Sequence, residues 1–323
     1  MTPYTRPFQD RDYAAVARIR GTCWPDYASS GDDLRYGDTH TGKQIRWGRL
    51  MCTVGGVDVG TAYWGNVTEM YDPRRFELDV FVLPRWQGRG IGRLLFEHVV
   101  GDLRHLDPEL MRCWVRDNPG DRALRFLLKR GFVEDMRERE SQLDIASFDF
   151  SRYDGLEDRL ASEGIVLKTL PEIQQDEGWE QRLYEAICEM VADVPSPESY
   201  TKPGFQDFHD NQMNNPHLNP DTYVVAVEGG EYVGHSGLWK PANVDFLSTG
   251  LTGVRRNWRR RSIATAMKVK TIRWCADHGI RRIITGNEEN NPMFDINMSL
   301  GFKRTPDWVL LVKHFDAGES RRS

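Results

Sequence analysis

Two stretches of the sequence decide the fold: Val82-Leu83-Pro84-Arg85-Trp86-Gln87-Gly88-Arg89-Gly90-Ile91-Gly92-Arg93 and Val254-Arg255-Arg256-Asn257-Trp258-Arg259-Arg260-Arg261-Ser262-Ile263-Ala264-Thr265. Val, Trp, Arg and Ile stand at equal positions in both, at an offset of 172 residues. A second pair, Leu128-Lys129-Arg130-Gly131-Phe132 and Met298-Ser299-Leu300-Gly301-Phe302, recurs in the same order at an offset of 170 residues. Two landmarks in the same order and at nearly constant spacing indicate an internal duplication.

The duplication predicts how the chain of 323 residues divides. At about 100–200 residues per domain, this length favours two domains. A polar and charged stretch at 148–164 separates the two copies. We therefore predict an N-terminal domain over residues 1–153 and a C-terminal domain over residues 154–323.

Composition limits the class of protein. Hydrophobic residues make up 39% and charged residues 28%, which is typical of a globular chain. We expect a cytoplasmic protein without a membrane partner, because the sequence has no apolar run of roughly 20 residues and no signal-peptide pattern. The net charge of -5 argues against a nucleic-acid partner. Five cysteines without Cys-x-x-Cys spacing argue against a disulfide framework or a metal site.

Periodicity predicts the same order of elements in both halves: helix, hairpin, strand, glycine-rich turn, helix, strand, helix, strand. In the first half, the segments are 10–24, 50–57 with 59–64, 76–83, 93–106, 111–115, 121–130 and 138–145. In the second half, they include 178–191, 222–228 with 232–239, 244–254 and 282–285. Segments 29–42 and 202–217 carry no motif and are interpreted as loops. The fold class is α/β, with a mixed sheet and helices on both faces.

The glycine-rich turn is a candidate anion site. It joins a strand end to a helix start, where backbone N–H groups without partners and the positive end of the helix dipole face outward. Gly88, Gly90 and Gly92 allow a phosphate to approach the backbone, and Arg89 and Arg93 can donate charge-assisted hydrogen bonds to it. A pyrophosphate suits such a turn.

Three classes of phosphate site compete for this turn. A P-loop fails, because no Gly-Lys-Ser/Thr follows. A dinucleotide-binding fold suits it poorly, because about 80 residues and a hairpin precede Gly88, whereas that turn follows the first strand of its fold. The third class is an acyl-CoA site with the pattern Val-x-Pro-x-x-Gln/Arg-x-x-Gly-x-Gly/Ala.

On these residues the chain resembles the GNAT superfamily of acetyl-CoA-dependent N-acetyltransferases, in its tandem two-domain form. Residues 82–92 and 123–132 carry the resemblance in the first half. In the second half, 252–264, Asn287, 290–293 and 300–302 match the same signature more divergently. Together the two matches extend over most of the chain.

The resemblance implies acetyl-CoA as the cofactor and assigns residues to it. Strand backbone groups that bind the pantetheine arm map onto Val80, Phe81 and Val82, and onto Thr252, Gly253 and Val254. The pyrophosphate turn maps onto Gln87, Gly88, Arg89, Gly90, Ile91, Gly92 and Arg93, and onto Arg259, Arg260, Arg261, Ser262, Ile263, Ala264 and Thr265. Asn118 and Asn287 stand where the next strand gives an amide to the cofactor, and Asn291 belongs to the same match. Ser262 replaces an expected glycine.

Attack of an amine on a thioester needs a group that accepts the amine proton. Glu77 and Asp79 lie two residues apart on one face of the strand before the turn, and of these two candidate bases we favour Glu77. His235 is a candidate base in the second half. Many family members place a tyrosine acid four residues before the last Gly-Phe, but here Leu127 and Asn297 stand at those positions.

Two functions remain open from the sequence. One is an N-acetyltransferase that acts on a primary amine of a small molecule or peptide, with the first half catalytic because its glycines are intact. The other is a non-catalytic acyl-CoA-binding, regulatory or scaffold protein with degenerate domains. We expect a monomer or a homodimer in either case.

Overall fold

The computed structural model describes residues 1–68, 70–118, 122–196, 199–241 and 244–315. Its strands are β1 (Tyr4–Pro7), β2 (Trp47–Val54), β3 (Val57–Gly65), β4 (Arg75–Val82), β5 (Leu110–Arg116), β6 (Val133–Asp144), β7 (Ile165–Thr169), β8 (Leu218–Glu228), β9 (Glu231–Trp239), β10 (Phe246–Val254), β11 (Arg282–Glu288), β12 (Lys303–Arg304) and β13 (Trp308–His314). Its α-helices are α1 (Tyr13–Cys23), α2 (Gly31–Thr39), α3 (Ile91–Arg104), α4 (Arg122–Leu128), α5 (Leu156–Ser162), α6 (Leu170–Ile173), α7 (Trp179–Val191), α8 (Phe205–Phe208), α9 (Ile263–Asp277) and α10 (Met293–Ser299). No helix of this described part is long and apolar enough to span a membrane.

The predicted hairpins and the mixed sheet are confirmed. In the first hairpin, β2 ends at Val54 and β3 begins at Val57, with Gly55 and Gly56 at φ +58° and +81° between them. The second hairpin joins β8 to β9 through Gly229 and Gly230, also at positive φ. Glycine adopts these left-handed angles without a Cβ penalty, so it permits the tight turn in both halves.

The strands form one sheet in the order β1-β2-β3-β4-β5-β13-β6-β11-β10-β9-β8-β7, and β12 pairs with β6 beside this path. The pairs β4–β5 and β10–β11 are parallel, and the other pairs are antiparallel. The late strand β13 lies between β5 and β6 of the first half. In turn, β6 pairs through residues 138–144 with β11 of the second half. Each half therefore completes its part of the sheet with a strand from the other half.

Glu140 of β6 is a buried carboxylate that contacts both halves. It accepts hydrogen bonds from Arg116 at 2.6 Å, Trp308 at 2.9 Å and Thr305 at 2.7 Å, and also from the hydroxyl of Tyr27. Burial raises the pKa of Glu140, while the hydrogen bonds from Thr305 and Trp308 oppose that rise. This cluster fixes the start of β13 against β5 and the segment after α1.

Helices cover both faces of the sheet. On one face of the first half, Leu95 and Val99 of α3 pack against Phe76, Leu78 and Val82 of β4. Residues of α1 pack on the opposite face. In the second half, α9 and α7 take the corresponding places against β8 and β9. Alternate residues of β4 consequently face different helices, and the odd-numbered positions 77, 79 and 81 face α1.

Two expectations about local structure need correction, and a third lies outside the described residues. Segments 29–42 and 202–217 are not loops throughout, because they contain α2 and α8. Helix α2 begins with a capping box in which the side chains of Ser30 and Asp33 bind each other's backbone N–H groups. The strand expected at 138–145 begins earlier, at Val133, because its first residues pair with β13. Asp121, the expected start of a helix, lies outside the described residues, and α4 begins at Arg122.

The domain boundary between residues 153 and 154 stays a prediction, and the strand exchange gives a way to test it. A chain of residues 1–153 alone lacks β13, which leaves the facing edges of β5 and β6 without their hydrogen-bonding partner. We expect this fragment to show no cooperative unfolding transition in urea, measured by circular dichroism. Co-expression with residues 154–323 should restore the transition.

The control is the full chain, unfolded under the same conditions. A cooperative transition for the fragment alone, with a midpoint near that of the full chain, would show that the first half is stable without the exchanged strand.

Candidate active site

A cleft opens in the first half where two parallel strands separate. β4 and β5 pair only at residues 75–77 with 110–112. Beyond this point the strands diverge, and the backbone of Leu78–Val82 borders a cavity of about 730 Å³. The predicted residues Val80, Phe81 and Val82 all line it. Polar backbone groups of β4 that lack a neighbouring strand can pair with an extended ligand there.

The glycine-rich turn forms one end of this cleft. Gly88 and Gly90 have φ angles of +76° and +83°, and α3 begins directly after them at Ile91. A Cβ built on Gly90 would meet no atom within 4 Å, so space lies open above its backbone. Of the predicted turn residues, Gln87, Gly88, Arg89, Gly90, Gly92 and Arg93 line the cleft. Ile91 instead is 2% exposed and packs in the core.

Cations surround this end of the cleft. The guanidinium of Arg89 lies 4.9 Å from the ring centroid of Trp86. Within the described ranges, no carboxylate lies within 4 Å of Arg89 or Arg122, both of which line the cleft. Arg93 makes a 3.8 Å contact with Glu97, and both side chains are exposed, so it is weakly compensated. The turn therefore presents helix N–H groups and positive charge to the same space.

A carboxylate and aromatic rings form the other end. Asp79 lines the cleft, and its carboxylate lies 3.6 Å from the guanidinium of Arg20. Burial raises the pKa of Asp79, while Arg20 and Arg49 act in the opposite direction. Trp24 also lines the cleft and packs edge-on against Phe81, with ring centroids 4.7 Å apart. This end can hold an amine beside a partly desolvated carboxylate.

The exchanged strand supports that aromatic wall. Trp308, the first residue of β13, packs edge-on against Trp24 with ring centroids 4.9 Å apart. The same indole donates to Glu140 at 2.9 Å. The aromatic end of the first cleft is thus held in place by the late strand of the chain.

Other predicted residues of the first half lie elsewhere. Glu77 is half-buried on the same face of β4 as Asp79, but it stands beside Arg112 in the paired part of the strands and does not line the cavity. Leu127 lines the cleft as a buried apolar side chain, so it cannot transfer a proton. Asn118 is exposed after β5 and is not among the lining residues.

Several lining residues were missed by sequence reasoning. Cys113 and Trp114 lie on β5 across from β4, and Arg122, Phe126 and Arg130 lie on or just after α4. The strand–helix–strand unit in the sequence could have indicated these residues. It makes β4 and β5 parallel and so places a ligand cleft at their carboxyl ends. In the described chain, no three His, Cys, Asp or Glu residues are arranged to hold a metal.

The second half repeats the backbone geometry. β10 and β11 are paired in parallel only at 246–248 with 282–284 and then separate. Arg260 and Ser262 have φ angles of +63°, as Gly88 and Gly90 have in the first turn. Arg259 Nε donates to the carbonyl of Val254 at 2.9 Å, and this matches the bond from Gln87 to the carbonyl of Val82 at 3.0 Å. The duplication thus extends to individual backbone angles and hydrogen bonds.

The second cleft is smaller, with a volume of about 210 Å³. Of the residues predicted to bind a cofactor there, Thr252, Asn287 and Asn291 line it. Gly253, Val254 and Thr265 are half-buried without lining it, whereas Ile263 and Ala264 are buried in the helix core. Asn297, at the position of the missing tyrosine, is buried and donates to Asn287 at 2.6 Å.

Carboxylates form ion pairs with Arg256, Arg259 and Arg261 of the second turn. Asp193 binds Arg256 and also Arg259, the latter at 2.5 Å. Arg261 lies 3.0 Å from Glu228 and 3.4 Å from Glu163. The arginine hydrogen bonds lower the pKa of Asp193 to about 2, so it stays ionised at neutral pH. Much of the positive charge of this turn is therefore paired within the protein, in contrast to the first turn.

His235, the candidate base of the second half, is buried on β9. Its Nδ1 lies 3.1 Å from the carbonyl oxygen of Val224, and its ring lies against Tyr223 with centroids 4.1 Å apart. Burial lowers the pKa of His235 to about 4, so the ring is neutral at pH 7. It does not line the second cleft.

Comparison with solved structures agrees with the fold. A protein described as a GCN5-related N-acetyltransferase from Sphaerobacter thermophilus is 21% identical, with a TM-score of 0.65 over 97% of this chain and 95% of its own. A tandem GNAT protein from the clavulanic acid biosynthesis pathway is 17% identical, with a TM-score of 0.74 over 97% and 98% of the two chains. No curated protein matches the sequence.

The family model settles the family. The model of the acetyltransferase (GNAT) family matches the chain twice, over residues 13–132 and 180–298. These two regions contain the two glycine-turn stretches, all residues that line the first cleft, and the residues that line the second cleft except Met136 and Glu138 of β6. The duplicated sequence, the splayed parallel strands and the two matches lead to one conclusion: the chain belongs to the acetyltransferase (GNAT) family, as a tandem of two GNAT folds.

Proposed function

We propose that the protein is an acetyl-CoA-dependent N-acetyltransferase that acetylates a primary amine of a small molecule or peptide, and that the first half is its catalytic half. One observation carries the proposal. The cleft of about 730 Å³ has uncompensated arginines and helix N–H groups at one end and the desolvated carboxylate of Asp79 at the other. A polyanionic donor and an amine acceptor therefore fit opposite ends of one cleft.

The residues of the first cleft suit acetyl-CoA. The open space above Gly90 and the backbone N–H groups at the start of α3 fit a pyrophosphate, with Arg89 and Arg122 as additional donors. The unpaired edge of β4 from Leu78 to Val82 fits the pantetheine arm. When bound, acetyl-CoA supplies an activated acyl group as a thioester.

Asp79 acts as the base, directly or through a water molecule. Its carboxylate accepts the proton that the amine loses as it becomes a nucleophile. Burial raises the pKa of Asp79 and makes it a better proton acceptor than an exposed aspartate. Arg20, 3.6 Å away, keeps the carboxylate ionised between turnovers. Glu77 lies on the same face but outside the cleft, so we assign it a secondary, electrostatic role.

The second half does not hold acetyl-CoA in this proposal. Its cleft has less than a third of the volume of the first cleft, and Asp193 already pairs with Arg256 and Arg259, as Glu228 does with Arg261. A pyrophosphate would have to displace these carboxylates. The second half therefore supports the first, through β13 and Trp308, or has a separate role.

The test is an assay of thiol release from acetyl-CoA with a panel of primary amines that includes amino acids, polyamines, aminoglycosides and peptides. We expect at least one amine to be acetylated, and Asp79→Asn to lower kcat/KM for it by about 100-fold or more. Because the active form of Asp79 is ionised, kcat/KM of the wild type should fall as pH drops through its raised pKa. Asp79→Asn should lose that pH dependence.

Glu77→Gln is the matched control, because it removes a carboxylate two residues away on the same strand face. A large loss in Glu77→Gln together with a small loss in Asp79→Asn would move the base to Glu77. Binding of acetyl-CoA without thiol release to any amine would favour a non-catalytic acyl-CoA-binding protein.

A negative charge placed in each turn separately tests which of the two halves binds acetyl-CoA. Gly90→Glu puts a carboxylate into the first turn, where it repels a pyrophosphate and fills the space above the backbone. We expect it to weaken acetyl-CoA binding by at least about 100-fold, measured by isothermal titration calorimetry. Ser262→Glu, at the equivalent left-handed position, should leave binding unchanged.

The stoichiometry of the wild type provides the check, and one acetyl-CoA per chain is expected. A stoichiometry of two, or equal losses in the two variants, would mean that both halves bind acetyl-CoA.

A further inference from the structure

Lys268 replaces an aromatic core residue of the first half. At the repeat offset of 172 residues it corresponds to Phe96, which packs edge-on against Phe132 with ring centroids 6.2 Å apart. In the second half, Nζ of Lys268 lies 5.8 Å from the ring centroid of Phe302, the counterpart of Phe132. Lys268 is only 4% exposed. The second half thus carries an ammonium group where the first carries a phenyl ring.

The charge of Lys268 has no partner in the described chain. Its Nζ forms neither an ion pair within 4 Å nor a hydrogen bond with the described residues, and the ammonium group lies against the ring of Phe302. Burial lowers the pKa of Lys268 to about 8, so the group is still largely protonated at pH 7. A buried ammonium without a carboxylate is costly, and lysines are almost never buried unless paired.

The ammonium borders the second cleft, and a second polar group there also lacks a partner. Thr249 Oγ1 is buried in the wall of the cleft without a hydrogen-bond partner. Asn287 lines the same cavity, with its carbonyl oxygen occupied by Asn297. The cleft thus offers a positive charge and hydrogen-bonding groups that the protein itself does not satisfy, a pattern that native interiors avoid unless a ligand uses it.

Size and charge define what can bind. About 210 Å³ corresponds to roughly seven water volumes, so the ligand has a similar number of non-hydrogen atoms. Met136, Leu251 and Met293 give the cavity an apolar wall. Glu138 and Glu288 also line it, and these carboxylates disfavour a second negative charge on the ligand. Burial raises the pKa of Glu138, and Glu288 accepts hydrogen bonds from Asn290 at 2.8 and 2.9 Å.

We propose that the cleft between β10 and β11 binds a small monocarboxylate with a short apolar body, whose carboxylate pairs with Lys268 and accepts a hydrogen bond from Thr249. The ligand supplies the negative counter-charge that Lys268 lacks. The first half needs none, because the uncharged Phe96 stands at the equivalent position. This site is independent of acetyl-CoA, and it gives the second half a binding role of its own.

Sodium butyrate is the probe, titrated into the full chain without acetyl-CoA, with sodium chloride added to keep the ionic strength equal. We expect saturable binding by calorimetry and a matching rise in the thermal unfolding midpoint. Lys268→Met, which keeps the length of the side chain, should weaken butyrate binding by about tenfold or more. Lys270→Met is the matched control on the same helix, because Lys270 pairs with Glu157 at 2.7 Å outside the cleft, and it should bind butyrate as the wild type does.

A second variant separates a loss of butyrate binding from a loss of the folded state. Thr249→Val preserves the shape of the side chain and should weaken butyrate binding while the unfolding midpoint without ligand stays near that of the wild type. Acetyl-CoA binding should be unchanged in all three variants, so a failure of this site is distinguishable from a failure of the first cleft.

The proposal is overturned if butyrate shows no saturable binding to the wild type, or if Lys268→Met and Thr249→Val both bind it as the wild type does. Tighter binding of succinate or inorganic phosphate than of butyrate, lost in Lys268→Met, would also overturn it, because the site would then take a different class of anion.

Discussion

The backbone pairing of β13 between β5 and β6 is the interaction on which the first cleft depends. β13 pairs with β5 over residues 308–314 and with β6 over residues 308–312. β5 is also one wall of the cleft, so its position relative to β4 is set by a strand that arrives from the other half. Trp308 also supports the aromatic end of the cleft, because it packs against Trp24 and donates to Glu140. The glycine-rich turn and the aromatic wall of the cleft therefore come from distant parts of the sequence but share one sheet.

The two halves have similar backbone conformations but differ in how the arginines at their glycine-turn stretches are paired with carboxylates. In the first turn, glycines leave space, and Arg89 has no carboxylate beside it among the described residues. In the second turn, Arg260 and Ser262 hold the same left-handed angles at a cost of about 1 kcal/mol each. Neighbouring carboxylates pair with Arg256, Arg259 and Arg261 there. Conserved geometry with altered charge is what divergence after a duplication produces, because the sheet constrains the backbone more than the side chains.

Much of the fold was readable from local sequence. The two glycine-turn stretches and their constant offset predicted the duplicated α/β architecture, and the hairpin turns and the strand before each turn lie where periodicity placed them. The residues on the edge of β4 were implied by the resemblance to the GNAT superfamily and not by periodicity. The preference for Glu77 over Asp79 could not be settled from alternation, because both face α1 and only the point where β4 leaves β5 separates them.

What local sequence could not reveal is non-local pairing. The exchange of β13 and β6 depends on hydrogen bonds between residues at least 138 positions apart, and no periodicity within either strand encodes its partner. Lys268 was overlooked for a related reason. A lysine on a helix is usually exposed, and only its packing under Phe302 makes it a buried charge.

The strand exchange also sets an order of events during synthesis. β5 and β6 emerge from the ribosome long before β13, so their facing edges wait, without their partner, for about 170 further residues. Native closure of the first half is therefore a late step that waits for the second half. Contacts of such high sequence separation slow folding and expose unpaired strand edges to other chains. Translation speed and chaperones should consequently affect the yield of this protein more than its equilibrium stability alone suggests.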